Sequence, residues 1–267
     1  MKKTPLVLLV LFSVFVLGGC GPKKASPPSG GEPTATPTRP VSETVKEAPL
    51  VSLVPTADGH WVNLEVSSIA EKFTAIDYEL IYFADVEGSK IERGVTGGKM
   101  IDLNGASSFS KKVLFGSASC TTGTCKYKYD ENVTEGTLTL KLGTSTGRET
   151  FSSIFRIQKG SEGGEGLSTG DGVFSFVSSA LPKNSRYLTI STIGLPAELP
   201  SGLVAKSLPY SIYPKPGVKG TVSFESSEEG VGVYLWSGFS WEKMPTTLEN
   251  GSASAEIQKF GVFVLAK

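Results

Sequence analysis

The chain has 267 residues, with 26 basic side chains, 26 acidic side chains and one histidine. At this length two domains are the prior expectation, each with enough chain to bury a core. The balanced charge argues against a nucleic-acid-binding protein and against a polybasic membrane patch, because both need clustered Lys and Arg. We therefore expect no nucleic-acid partner.

The N-terminal residues have the pattern of an export signal. Lys2 and Lys3 precede an apolar stretch from Leu6 to Leu17, which Ser13 alone interrupts. A basic segment followed by a short apolar one is typical of a secretory signal peptide. The stretch is shorter than the roughly 20 apolar residues that a transmembrane helix needs. Residues 1–19 are therefore predicted to be a signal peptide.

The signal ends in Leu17-Gly18-Gly19-Cys20, which resembles the lipobox of bacterial lipoproteins. The resemblance implies cleavage before Cys20 and attachment of fatty-acyl chains, such as palmitate, to the new N-terminal residue. It also implies a location on the extracytoplasmic face of the cell membrane, with the lipid as the contact to the bilayer. Each buried acyl CH₂ contributes about 0.8 kcal/mol, so several chains hold a protein firmly. The alternative is an ordinary secretory signal with an incidental cysteine.

Residues 20–48 are rich in Pro, Ser, Thr and Lys and contain little that is apolar. Such a composition cannot bury enough surface to fold, so this range is predicted to be a disordered tether that follows the lipidated cysteine.

Between residues 49 and 159 the pattern changes to short runs of alternating apolar and polar residues. Examples are Trp61–Val66, Ile76–Tyr82 and Thr137–Leu142, with glycine-containing turns between runs. Alternation with period two predicts β-strands that have one buried face. We expect this range to form an antiparallel β-sandwich.

Tyr78-Glu-Leu80-Ile-Tyr82 follows Leu64-Glu-Val66 along the chain, and the pair is similar to the B and C strands of fibronectin type III-like modules. The resemblance implies an immunoglobulin-like sandwich.

Residues 160–172 are rich in glycine, with Ser and Glu, which predicts a linker. This range lacks the Gly-Lys-Ser/Thr ending of a phosphate-binding loop. Strand patterns resume in residues 173–267, for example at Tyr187–Ile190 and Val231–Trp236, which predicts a second β-sandwich. The predicted fold class is thus all-β, with two antiparallel sandwich domains.

Near the end of the chain, Tyr234-Leu-Trp236-Ser-Gly-Phe239-Ser-Trp241 precedes Gly261-Val262-Phe263. This arrangement resembles the hairpin of C-terminal β-sandwich modules in bacterial surface proteins, and it implies display at the cell surface. Trp236, Phe239 and Trp241 are candidate binding residues, because exposed aromatic rings stack on sugars and anchor protein partners.

The alternative for these three aromatic residues is a structural, inward orientation. A two-residue Ser237-Gly238 turn would place Trp236 opposite Phe239, with Trp241 further along the same face.

Apart from Cys20, the chain contains only Cys120 and Cys125. In an oxidising exported compartment a disulfide is the expected state, with free thiols as the alternative. A zinc site would need four ligands, and redox pairs are normally separated by two residues.

The sequence offers little for catalysis or cofactor binding. His60 is the sole histidine, no Gly-x-Ser-x-Gly element lies near it, and we assign it no chemistry. The acidic pairs Asp130-Glu131 and Glu228-Glu229 have the side chains for glycoside hydrolysis, but their separation in space is not readable from sequence. No cofactor is expected. Whether oxygen-bearing residues at loop ends, such as Asp130, Glu131, Asn132 and Asp171, hold calcium stays open.

These observations favour a noncatalytic binding or structural module, anchored by Cys20 at the cell envelope. The candidate ligands are an envelope glycan or another envelope protein. The alternatives are an envelope hydrolase on a β-sandwich scaffold and an accessory lipoprotein of an export or transport complex.

Overall fold

A computed structural model of the protein describes residues 41–86, 88–160 and 166–267. The predicted signal peptide, the lipidation site at Cys20 and most of the predicted tether lie outside these described residues.

The described elements are one short helix and twenty strands. In chain order they are α1 (Val41–Glu47), β1 (Leu50–Pro55), β2 (Trp61–Ser67), β3 (Ala75–Val86), β4 (Ser89–Thr96), β5 (Ile101–Asp102), β6 (Phe109–Leu114), β7 (Gly116–Thr121), β8 (Thr124–Tyr129), β9 (Glu135–Thr144), β10 (Gly147–Lys159), β11 (Leu167–Ser168), β12 (Phe174–Val177), β13 (Arg186–Ser191), β14 (Tyr210–Tyr213), β15 (Gly220–Glu225), β16 (Gly232–Trp236), β17 (Trp241–Lys243), β18 (Thr247–Glu249), β19 (Ser252–Ile257) and β20 (Val262–Ala266).

The strands form antiparallel sheets. Sheet I has the order β1-β2-β6, and sheet III has the order β11-β12-β15-β19-β18. Sheet II is the largest, with the order β17-β16-β20-β14-β13-β10-β9-β3-β4 and with β5 paired to β3. Strands β7 and β8 pair only with each other in a two-stranded ribbon. The predicted all-β, antiparallel fold is confirmed.

The first core lies between sheet I and the β3, β9, β10 and β13 part of sheet II. In β2 and β3 every second residue is buried, as in Val62, Leu64 and Val66. Alternation places these side chains on one face of each sheet, and burial of that face stabilises the pair. The sequence patterns at Trp61–Val66 and Ile76–Tyr82 thus predict the strands correctly.

The second core lies between sheet III and the β14, β16 and β20 part of sheet II. Aromatic rings dominate it: the Phe174 ring is 5.5 Å from that of Tyr210 and 5.7 Å from that of Phe263, measured between centroids. Strand β20 is buried along its whole length, because alternate residues face this core and a third cluster on the opposite face of the sheet.

Neighbouring residues of β13 contribute to different cores. Leu188 and Ile190 belong to the first core, whereas Tyr187 belongs to the second. Since successive side chains of a strand point to opposite faces, sheets I and III cover opposite faces of sheet II. Sheet II joins strands from both predicted sandwich ranges, 49–159 and 173–267, through the pairing of β10 with β13. The two-domain division and the fibronectin type III resemblance stay predictions.

Helix α1 falls within the range predicted as a tether, and it packs through Val45 against the third cluster, with Ala205, Tyr234, Val264 and Ala266. Disorder was expected here, but the helix is ordered because the apolar side chain of Val45 is buried against the third cluster. Within the described ranges, no helix has the length and apolar character required to cross a membrane.

Candidate functional site

A groove runs along the part of sheet II that neither sheet I nor the third cluster covers. Its floor is built from Ser211 and Tyr213 of β14, Trp236 of β16 and Val262 of β20. Their strand neighbours Ile212, Leu235 and Phe263 belong to the second core on the other face. Alternation therefore fixes the floor side chains toward the groove, while the core residues hold each strand in place.

The walls come from sheet I and from two loops. From sheet I, the lining residues include Ser52 of β1, Glu65 of β2, and Phe109 and Ser110 of β6. The two loops contribute Pro196 and Gly238. The cavity has a volume of about 570 Å³. This lies in the usual range for small-molecule sites, which combine apolar and aromatic walls with a few polar groups.

The three candidate aromatic residues occupy different environments. Trp236 is half-buried in the groove floor. Trp241 is half-buried against the third cluster, where its indole Nε1 donates to the carbonyl oxygen of Ala197 at 3.3 Å. Phe239 is 94% exposed and makes no contribution to any core.

The two-residue Ser237-Gly238 turn that would place Trp236 opposite Phe239 is not formed. Trp236 pairs directly with Trp241, so residues 237–240 form the turn and Phe239 lies at its tip. Gly238 has a φ of 122°, a conformation that glycine adopts readily and other residues rarely. The ring centroids of Trp236 and Trp241 are 5.6 Å apart, as expected for a directly opposed pair.

Gly261 allows β16 and β20 to approach closely beside Trp236. A Cβ atom at this position would lie 1.7 Å from the Trp236 carbonyl oxygen, and the Gly261 carbonyl accepts a hydrogen bond from the Ser211 hydroxyl at 2.8 Å. The glycine is thus required by backbone packing at the floor, and the Gly-Val-Phe pattern has a structural cause.

Glu65 and Tyr213 provide the polar chemistry of the groove. Burial raises the pKa of Tyr213, and although the hydroxyls of Ser211 and Ser52 lower it, the negative charge of Glu65 raises it again, so that the pKa lies above its ordinary value. The phenol therefore stays protonated and can donate a hydrogen bond. Glu65 is exposed, and one of its oxygens accepts a hydrogen bond from the Ser52 hydroxyl at 3.3 Å.

Sequence reasoning did not identify Tyr213, Glu65 or Phe109 as site residues. Glu65 and Tyr213 lie in segments whose strand pattern was visible, whereas the strand that carries Phe109 does not alternate and was not predicted. An alternating pattern also shows only that a side chain faces away from one core. Which strands meet at a groove depends on the sheet order, and no local pattern encodes that order.

The structure confirms the predicted disulfide between Cys120 and Cys125. Its S–S distance is 2.04 Å, and the two residues are directly paired near the turn of the β7–β8 ribbon. His60 lies beside this ribbon: its ring stacks on Tyr129 at 3.8 Å, and its Nδ1 lies 3.3 Å from an oxygen of Asp58.

Two of the carboxylates that are candidates for calcium, Asp130 and Asp171, make other contacts. Asp130 is buried, accepts a hydrogen bond from the Tyr82 hydroxyl at 2.8 Å, and lies 3.5 Å from Arg93. Asp171 accepts a hydrogen bond from the Tyr210 hydroxyl at 2.7 Å. Within the described ranges no three His, Cys, Asp or Glu side chains are grouped to hold a metal ion.

Comparison with protein-family models finds no match, and comparison with curated proteins finds none either. The interpretation of the groove therefore depends on its geometry and chemistry.

Proposed function

We propose that the protein is a lipid-anchored, extracytoplasmic binding module, noncatalytic, whose groove holds a segment of an envelope glycan. The observation that carries this proposal is the half-buried ring of Trp236 in the floor of a groove that also presents hydroxyl groups. The flat apolar face of a sugar ring packs on an aromatic ring, while its hydroxyls need donors and acceptors around it.

The polar groups of the groove suit such a ligand. Tyr213 supplies a protonated hydroxyl, Glu65 supplies an acceptor, and Ser52 and Ser110 add hydroxyls that both donate and accept. Lys215 at the rim brings one positive charge, so the lining is mixed rather than strongly charged. This balance favours a neutral glycan over a polyanion in the groove.

The groove favours binding over hydrolysis. Glycosidases of both common types use two carboxyl groups that flank the scissile bond. Among the described residues that line the groove, Glu65 is the one carboxylate. Hydrolysis would need a second carboxyl group in the groove, whereas binding without cleavage does not.

The test of groove binding uses the chain with Cys20→Ala, titrated by calorimetry with soluble oligomers of β-linked glucose and of N-acetylglucosamine. Loss of the stacking face in Trp236→Ala should weaken binding at least tenfold, and Tyr213→Phe should weaken it several-fold. Phe239→Ala, a nearby exposed ring outside the groove, should bind normally. Failure of every oligomer to bind, or unchanged affinity in Trp236→Ala, would contradict the proposal. Reducing ends released by the parent chain but not by Glu65→Gln would show a hydrolase instead.

The lipid anchor is tested separately in cells. Because the acyl chains are proposed to attach to the Cys20 thiol, Cys20→Ala should abolish incorporation of labelled fatty acid and move the protein out of the membrane fraction. Gly21→Ala keeps the thiol and should behave like the parent chain. Membrane attachment that persists in Cys20→Ala would exclude the lipoprotein proposal.

A further inference from the structure

One wall of the groove is a short loop segment, residues 195–197, which we call the wall segment. Pro196 of this segment lines the groove. The same residue lines a second cavity of about 470 Å³, which Val45 of α1 also lines. Because there is a cavity on both sides of Pro196, packing alone does not fix the position of the wall segment.

Backbone contacts tie the wall segment to the end of α1. The Leu195 N–H donates to the Val45 carbonyl oxygen at 3.2 Å. One residue earlier, the Gly194 N–H donates to the Pro49 carbonyl oxygen at 3.0 Å. A Cβ atom on Gly194 would lie 2.0 Å from the Ala48 carbonyl oxygen, so the two backbones approach as closely as a glycine allows. The position of the wall segment therefore depends on the position of α1.

The corner that precedes the wall segment is strained. Ile193 has a φ of 64°, which a β-branched residue rarely adopts. Its side chain is buried in the first core, its backbone pairs with Leu50, and its N–H donates to the Ser191 hydroxyl oxygen at 3.3 Å. Backbone strain persists only where the surroundings determine it, and it is concentrated at ligand clamps and switch regions. The strain at Ile193 therefore points to a role in ligand binding for the segment that follows.

Helix α1 is ordered because it is docked on the rest of the chain. It has seven residues, and isolated helices shorter than about 12 residues are marginal in water. Its docking depends on Val45, which is 1% exposed in the third cluster, and on Glu47, which accepts a hydrogen bond from the Lys72 ammonium at 3.2 Å. An undocked α1 would lose the hydrogen bond from Val45 to the wall segment.

We propose that docked α1 positions the wall segment for the glycan, so that groove occupancy and the docking of α1 favour each other. This inference rests on the glycan binding proposed for the groove. Such coupling is reciprocal, because the factor by which docked α1 raises the affinity for the glycan equals the factor by which the glycan favours docked α1. Since α1 lies within the range predicted as the tether, a bound glycan also restrains the point at which the tether joins the sheets.

The test uses the chain with Cys20→Ala, titrated by calorimetry with soluble oligomers of β-linked glucose and of N-acetylglucosamine. Gly194→Ala pushes the wall segment away from the end of α1, and Val45→Ser undocks α1. Each should weaken binding by about fivefold or more. Two matched controls should bind like the parent chain. Lys46→Ser makes the same replacement at the exposed neighbouring position, and Gly147→Ala adds the same methyl group where no other atom lies within 4 Å.

Amide hydrogen exchange distinguishes positioning from general destabilisation. In the parent chain, a saturating oligomer should slow exchange in residues 45–48 more than in β9, although residues 45–48 do not line the groove. In Val45→Ser without ligand, exchange should increase in residues 193–197 and remain unchanged in β9.

Three results would overturn the proposal. In the first, Val45→Ser increases exchange in residues 193–197 yet binds the oligomers as tightly as the parent chain. In the second, exchange in residues 193–197 of this variant stays at the parent rate. In the third, the oligomer leaves exchange in residues 45–48 unchanged. Failure of the parent chain to bind any oligomer would contradict the proposed glycan binding instead, and exchange in Val45→Ser would still decide whether α1 holds the wall segment.

Discussion

The molecule carries two aromatic hairpins that are stabilised in different ways. The hairpin of β16 and β17 belongs to the ten-stranded sheet, and its two tryptophans are half-buried around a turn that leaves Phe239 exposed. The ribbon of β7 and β8 forms its own two-stranded sheet and is exposed along most of its length. Isolated hairpins are marginally stable in water, so the ribbon depends on a covalent bond and on polar contacts at its base.

This difference shows that exposed aromatic residues have to be judged by what supports them. In the β16–β17 hairpin the core determines where the rings lie. In the ribbon, Tyr129 stacks on His60 and Tyr127 lies edge-on to Trp61, while the disulfide and the Tyr82–Asp130 hydrogen bond take the place of a core. Substitutions should therefore affect global stability in the first case and local order in the second.

The largest effect is expected for Trp241→Ala. This change removes packing against the third cluster and the hydrogen bond to Ala197, which should lower the free energy of unfolding by about 3 kcal/mol. Phe239→Ala is the matched control, because Phe239 is exposed and lies two residues away. This substitution should change the free energy of unfolding by less than about 0.5 kcal/mol. Urea denaturation measures both. Similar losses of unfolding free energy in the two variants would contradict a structural role for Trp241 that Phe239 lacks.

A smaller effect is expected for Tyr82→Phe, which keeps the ring but removes the hydroxyl between Gly116 and Asp130. A buried polar group that loses its partner costs about 2 kcal/mol. We expect much of this loss as faster amide hydrogen exchange in β7 and β8. Exchange that increases equally throughout sheet II would contradict a local role for this hydrogen bond.

The same hydroxyl predicts a pH dependence. Burial raises the pKa of Tyr82 well above 10.0, and the hydrogen bond to Asp130 raises it further. Burial also raises the pKa of Tyr210. A group with a raised pKa in the folded state contributes full stability below its unfolded pKa and loses it as pH rises further. Stability should therefore decrease above pH of about 10, and less steeply in Tyr82→Phe.

The smallest global effect is expected when Cys120 and Cys125 are both replaced by Ser. A bridge across so short a loop contributes at most about 2 kcal/mol through chain entropy, and the loss should remain within the ribbon. The melting temperature should change little, while exchange in β7 and β8 increases. Mass spectrometry of the parent chain before and after reduction checks the bond itself, and unfolding of β20 in the double variant would show that the ribbon supports the core.

The sequence predicted those features that depend on neighbouring residues. Alternation at Trp61–Val66 and Ile76–Tyr82 was sufficient for strands, and the short Cys120–Cys125 spacing was sufficient for the disulfide. The length of the turn after Trp236 was not predicted correctly, because it depends on which residues of β16 and β17 pair, and Trp236 pairs with Trp241 rather than with Phe239.

The candidate site was predictable only in part. Trp236 was identified because tryptophan near a turn is conspicuous, but Glu65 and Tyr213 looked like ordinary strand residues. They meet because sheet I packs on sheet II beside β14, a contact between segments that are distant in sequence. The stacking of His60 on Tyr129 was missed for the same reason, because these rings meet only when the ribbon folds back onto the start of β2.

Strand β20 has a consequence for the order in which the protein folds. It comes last in chain order among the described strands, yet it lies between β14 and β16 and is buried on both faces. Until residues 262–266 are present, the second core lacks Phe263 and Leu265, and β16 has no neighbour on that side. The first core uses residues only up to Ile193, whereas the second needs Phe263 and Leu265, so the first core can form earlier during synthesis than the second.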